Sequence, residues 1–235
     1  MRLDLLKALN VERRARRAAV LVTDLGGGEQ RLVKGDAVAA DPLAEAIDRQ
    51  LRMGRSGAIE HEGVSYFLSV QAPPAQLVVI GAVHVSQTLA EMARMADFDV
   101  TIVDPRTAFA NEERFPNVRV IAEWPDKALR EIGLDRYTGV AALPHDPKID
   151  DPALHLALGA ECFYIGALGS RKTHGKRVDR LTSAGFGAEQ IARIHAPIGL
   201  DIGAVSPAEI AVAILGEVIL SLRKKPLRAE REKAA

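Results

Sequence analysis

From residue 77 onward, short apolar runs alternate with helix-like stretches, and few folds accept that pattern. Residues 77–80, 140–143 and 162–165 are apolar on successive positions, and 100–103 and 118–121 nearly so, broken by Thr101 and Arg119. Strands of that kind are buried on both faces. Residues 86–96, 125–131, 152–158 and 171–184 read as helices between or after them. The alternation predicts an α/β fold, a Rossmann-like parallel sheet with helices on both faces. Ligands of such sheets bind beyond the carboxyl ends of the strands. The loops after Ile80, Val103, Leu143 and Ile165 are therefore the places to look.

The sequence before this region reads differently. Residues 18–23 and 30–33 flank Gly26-Gly27-Gly28, and residues 58–60 and 64–70 flank His61-Glu62-Gly63, as two hairpins would. Helices are expected over residues 3–17 and 42–53, the second with Asp41 as N-cap and Pro42 at its first position. Pro73-Pro74 removes two backbone donors and marks the boundary. The expected domains are a small α+β unit over 1–72, a Rossmann-like unit over 76–223 and a charged tail over 224–235. A last helix over 207–222 opens on Ser206, Pro207 and Glu209, the makings of a capping box.

Charge excludes some partners. Lys plus Arg and Asp plus Glu both number 31, so the balance gives no attraction to nucleic acid or an anionic membrane. No apolar run reaches the roughly 20 residues of a membrane span, and Met1 to Arg17 lacks the apolar centre of a signal peptide. A cytoplasmic location fits the single cysteine, Cys162, which lies in an apolar run and reads as inert. No metal-ligand spacing, paired carboxylates or catalytic nucleophile stands out.

The candidate ligand residues lie in the edge loops. Gly81-Ala82-Val83-His84-Val85-Ser86 occupies the place of a dinucleotide loop, but Val83 stands where a second glycine lets a pyrophosphate approach. That weakens NAD(P) binding. Asp104 follows the next strand, where an acid would meet a ribose hydroxyl, and Arg106 is placed for a phosphate; the competing reading is a local ion pair between the two that shapes the loop. His84 sits at a helix start, which attracts anions. His145 and Asp146 follow the fourth strand as polar ligand contacts or as a turn. Gly166, Gly169, Ser170, Arg171 and Lys172 put glycines, a cap and two cations at one helix start. Those cations oppose the helix dipole unless an anion offsets them. Gly199 and Asp201 lie in a loop between helices, read either as a buried connector or as a flap over the ligand edge.

Several of these motifs resemble the XdhC/CoxI family. The likeness is carried by residues 77–82 with His84, by Val103-Asp104-Pro105-Arg106, Glu113-Arg114-Phe115-Pro116 and His145-Asp146. It is most specific in residues 164–171, 197–204 and 206–211. The resemblance implies an accessory chaperone that binds molybdenum cofactor (molybdopterin) and supports its sulfuration by a cysteine desulfurase. It implies insertion into an apo molybdenum hydroxylase of the xanthine dehydrogenase or CO dehydrogenase type. It implies no catalytic residues. The family's glycine-rich stretch ending in cysteine and glutamate appears here as Gly26-Gly27-Gly28-Glu29, without the cysteine. An NAD(P)-dependent oxidoreductase and a ligand-free regulatory protein are the alternatives, and a homodimer through the small domain or the last helix stays open.

Overall fold

The computed structural model describes residues 2–224. These fall into two compact units: one runs to Pro73 and takes in Arg223, and the other is Pro74–Leu222. Of the expected tail, residues 225–235 lie outside the described residues, while Arg223 and Lys224 continue the last helix.

The smaller unit is an antiparallel sheet. β1 (Ala19–Asp24), β2 (Gln30–Lys34), β3 (Gly57–His61) and β4 (Val64–Gln71) stand in the order β2-β1-β4-β3. Both hairpins form where the turn residues predict them. Asp24 Oδ1 accepts from the N–H groups of Gly26 and Gly27, and Glu62 and Gly63 take the left-handed conformation that a tight hairpin turn needs. Val20, Val22, Val33, Leu43, Ile47 and Leu68 make its core. α1 (Leu3–Arg14) stops short of Arg17, with Arg16 at φ +50°. α2 (Ala44–Met53) starts two residues later than expected. Asp41 accepts from Leu43 N at 2.9 Å and ties Arg31 down, so it shapes the approach to the helix instead of capping it.

The larger unit has six parallel strands: β5 (Gln76–Ile80), β6 (Asp99–Val103), β7 (Arg119–Ile121), β8 (Thr138–Ala142), β9 (Tyr164–Ala167) and β10 (Ile194–His195). Their order is β10-β9-β8-β5-β6-β7, the doubly wound Rossmann arrangement, with the direction of winding reversing between β5 and β8. Residues of β5 alternate between two cores. Leu77 and Val79 pack with α3 (His84–Met95) and α8 (Pro207–Lys224), through Leu89, Ala93, Ile214 and Val218. Val78 and Ile80 pack with α4 (Pro125–Ile132) and α5 (Pro147–Gly159), through Leu129, Ala153, Leu154 and Ala157. α6 (Arg171–Ser183) and the short α7 (Ala188–Ile191) add Leu181 and Ile191 to that second face.

Two boundaries differ for local reasons. Pro152 is not the start of α5; Pro147 is, with Asp146 accepting from Lys148 N at 3.0 Å. Cys162 precedes β9 instead of lying in it. It is buried, and burial pushes its thiol up to about 12.

Candidate functional site

The reversal of strand order brings the loops after β5 and β8 together. Gly81 has φ +97°, and a Cβ there would lie 2.7 Å from Pro144 Cγ. Glycine is thus needed because Pro144 packs on it from the neighbouring loop. Ser86, at the third glycine position of the dinucleotide pattern, donates from Oγ to Gly81 O at 2.6 Å and is fully buried. Val83 is half-buried against the core, and His84 begins α3 with its ring exposed.

Asp104 organises this edge. Its Oδ1 accepts from Arg106 N and Nε, both at 2.9 Å. Its Oδ2 accepts from Arg106 Nη2 and Ala82 N, both at 2.7 Å. The carboxylate is fully buried, and each oxygen takes two bonds. Burial alone would raise this carboxyl, but the bonds from Arg106 and Ala82 outweigh it and hold it below its ordinary value. The same bonds raise Arg106, whose side chain stays 42% exposed. Arg106 also lies over the Phe109 ring at 5.0 Å. Arg114 crosses that ring at 5.4 Å and donates to Ala82 O. A fixed, accessible guanidinium therefore stands beside the first loop, and a ribose hydroxyl seeking Asp104 would have to displace one of its bonds.

His145 (φ +56°) and Asp146 are exposed on the loop after β8, Asp146 as the cap of α5. Gly166 lies inside β9 and not in the loop after it, and is required by contact, since a Cβ would lie 2.5 Å from Tyr164 Oη and 2.6 Å from Ile198 Cδ1. Gly169 has φ +137°, and Ser170 accepts from Thr173 N to cap α6. Arg171 and Lys172 are exposed in the first turn of that helix.

A cleft of about 230 Å³ opens between the starts of α5 and α6, bordered by His145, Asp150, Lys172, Lys176, Arg177 and Arg180. Sequence reading singled out only His145 and Lys172 of these. Asp150 and Arg177 are buried, and helical spacing alone gave no sign that they meet.

The loop after β10 is fastened to α8. Glu217 Oε2 accepts from Tyr164 Oη at 2.7 Å and Gly199 N at 2.8 Å, and Oε1 meets His195 Nδ1 at 2.8 Å. Burial would raise Glu217, but bonds from His195, Tyr164 and Gly199 lower it overall. Gly199 (φ +93°) rests on Ala213 and Ile214 of α8, while Asp201 points into solvent at the exposed crest of the loop. Glu217 was missed in the sequence, though one acid inside the apolar run of the last helix is a readable signal. Among the described residues there is no cluster of three metal-ligating side chains, and no helix long and apolar enough to cross a membrane.

Strand order, a reversal point and a fixed cation beside it define a Rossmann-type domain with a candidate ligand edge. The chain belongs to the XdhC family: residues 77–218 match the XdhC Rossmann domain. It is 30% identical over 208 residues to the Escherichia coli K12 protein YqeB, covering 85% of this chain and 38% of that one. It is 28% identical to a probable xanthine dehydrogenase subunit of Bacillus subtilis 168, over 67% of this chain and 46% of that one. It is 30% identical to the molybdenum cofactor insertion chaperone PaoD of Escherichia coli K12, over 62% and 40%. The chain thus spans less than half the length of these relatives. A solved Bacillus halodurans structure described as a xanthine dehydrogenase shares the fold, with a TM-score of 0.66 and 22% identity over 97% of this chain and 66% of that one.

Proposed function

We propose that this chain is an accessory chaperone that holds molybdenum cofactor as cargo for a molybdenum hydroxylase of the xanthine dehydrogenase type. Family membership and the relative that inserts this cofactor support the reading. The observation that carries it is Arg106, locked by a buried carboxylate beside the strand-reversal point and still accessible. A preset guanidinium suits an anionic, oxygen-rich ligand, because little entropy is lost when it binds.

Asp104 serves by aiming Arg106. His84 and His145 offer polar contacts at either side of the Gly81–Pro144 junction, and Arg171 and Lys172 add charge at the neighbouring loop. Gly166 in β9 leaves room for Tyr164 and Ile198, Gly169 makes the turn that brings that loop to the edge, and Asp146 and Ser170 cap the two helices that flank it. Gly199 and Asp201 place the last loop as a wall. Sulfuration by a cysteine desulfurase while the cofactor is held, and assembly as a homodimer, belong to the same proposal. NAD(P) is disfavoured, since Val83 crowds the pyrophosphate position and Asp104 has its acceptor sites filled.

Anaerobic equilibrium binding of molybdenum cofactor to wild type, Arg106→Ala and Arg171→Ala, with NADH as competitor, tests this. Micromolar or tighter binding is expected, weakened at least tenfold by Arg106→Ala, about 1.4 kcal/mol, and not displaced by NADH. NADH bound with no pterin bound would make the chain an oxidoreductase instead.

A further inference from the structure

Arg177 is buried to 1% exposure, and two of its donor nitrogens are unused. Nε and Nη1 meet no acceptor among the described residues. Nη2 donates to Leu168 O at 3.0 Å and stands 3.6 Å from Asp150 Oδ2, while Asp150 Oδ1 has no partner either. A guanidinium and a carboxylate that exist only to steady each other close to about 2.7–2.9 Å. Elsewhere this chain does so: Arg180 grips Asp151 at 2.6 and 2.9 Å on the same two helices. Buried donors left unbonded cost stability, so an arrangement that keeps them open calls for an acceptor from outside.

What surrounds Arg177 fits one kind of acceptor. It lines the cleft between α5 and α6 with the exposed cations Lys172 and Lys176, and with Arg180. The first turns of two 13-residue helices border the same space through Pro147 and Thr173, and helix starts favour anions. The cleft, about 230 Å³, has room for a tetrahedral oxyanion and the ester carbon that bears it. Asp150 does not defeat this: burial pushes its carboxyl up to about 7, so near neutrality it is in good part protonated and donates to an oxyanion. On α6 itself, His174 Nδ1 is also buried with no hydrogen-bond partner among the described residues.

We infer that the α5/α6 cleft is a seat for a phosphate monoester, with Arg177 as its buried donor and Lys172 and Lys176 as its outer clamps. It rests on the cofactor-binding reading only for which phosphate enters, namely the phosphate group of the pterin cargo.

Calorimetry on the full chain at fixed ionic strength tests it, with inorganic phosphate as one probe and molybdenum cofactor as the other. Wild type binds phosphate saturably. The double variant Lys172→Ala/Lys176→Ala weakens it at least tenfold with an unchanged melting temperature, since both side chains are exposed. Arg177→Lys weakens it at least fivefold, and phosphate competes with the cofactor. Absence of saturable phosphate binding, or unchanged affinity in the double variant, overturns the seat. Cofactor binding indifferent to phosphate and to the double variant overturns the placement of its phosphate and leaves the chaperone reading standing. Phosphate bound in the cleft with no cofactor bound keeps the seat and removes the chaperone reading.

Discussion

Glu12 in the smaller unit and Asp150 in the larger are both nearly inaccessible, at 3% and 2% exposure, yet their carboxyls move in opposite directions. Glu12 accepts from Arg17 Nε and Lys34 Nζ, each at 2.6 Å, and those bonds bring it down to about 2. Burial drives Asp150 up to about 7, and its cation, standing off at 3.6 Å, offsets only part of that. Low accessibility alone therefore does not decide the fate of an acid: Glu12 is covered by the half-exposed cations that bond it, whereas Asp150 lies deeper and its cation stands off. The smaller unit spends its buried acid on holding α1 to β2. The larger unit leaves one under-bonded where a ligand of the parallel sheet would lie.

The strongest way to break this contrast is Arg177→Met. Without that cation Asp150 rises further, so at pH 8 it must take up a proton or stay charged and unpaired, and urea melts should show a loss of about 3 kcal/mol, smaller at pH 6. Adding Asp150→Leu should restore most of it. A single variant no worse than the double would mean that Arg177 does not support Asp150. Glu12→Gln comes next, at about 1–2 kcal/mol, because Arg17 and Lys34 are half-exposed and return to water. Wild type also loses Glu12's contribution as pH falls from its ordinary range near 4.5 toward about 2; the variant should lack that limb.

Asp150 gives the opposite slope. A raised acid stabilises below its ordinary range near 3.8, and that contribution is lost as pH rises through about 7. Tm by calorimetry should fall by roughly 5–10 °C between pH 5 and 8, and Asp150→Asn should flatten the fall. Smallest is Lys34→Ala, at about 0.5 kcal/mol, with Arg17 still in place; a loss as large as that of Glu12→Gln would show that Lys34 alone carries the pair.

How much of this was written plainly in the sequence depends on how local the cause is. Apolar runs such as 77–80 and 100–103 announce buried strands by themselves, and Glu62-Gly63 announces its own turn. β10 went unseen because two residues carry no periodicity, and the start of α5 was misplaced because Pro152 looks like a beginning while Pro147 is one. Asp104, Arg106, Arg171 and Lys172 were readable as edge residues because each lies within a few residues of a strand's carboxyl end. The ion pair of Asp104 with Arg106 was legible as the competing reading of that loop, and it forms; the saturation of Asp104 was not, since one of its bonds comes from Ala82 in another loop. Tyr164 and Glu217 lie 53 residues apart, and Arg177 meets Asp150 only once α5 and α6 pack.

The Glu217 carboxylate, shared among Tyr164, His195 and Gly199, has a practical meaning for anyone exchanging parts between family members. The segment from Ala196 to Ala204 is not an independent module. Its shape is stored in a sheet tyrosine and a helix acid, and Gly166 must stay bare for Tyr164 and Ile198 to lie where they do. A graft that moves this segment alone would arrive without its mould; one that carries β9, β10 and α8 with it would bring the shape along.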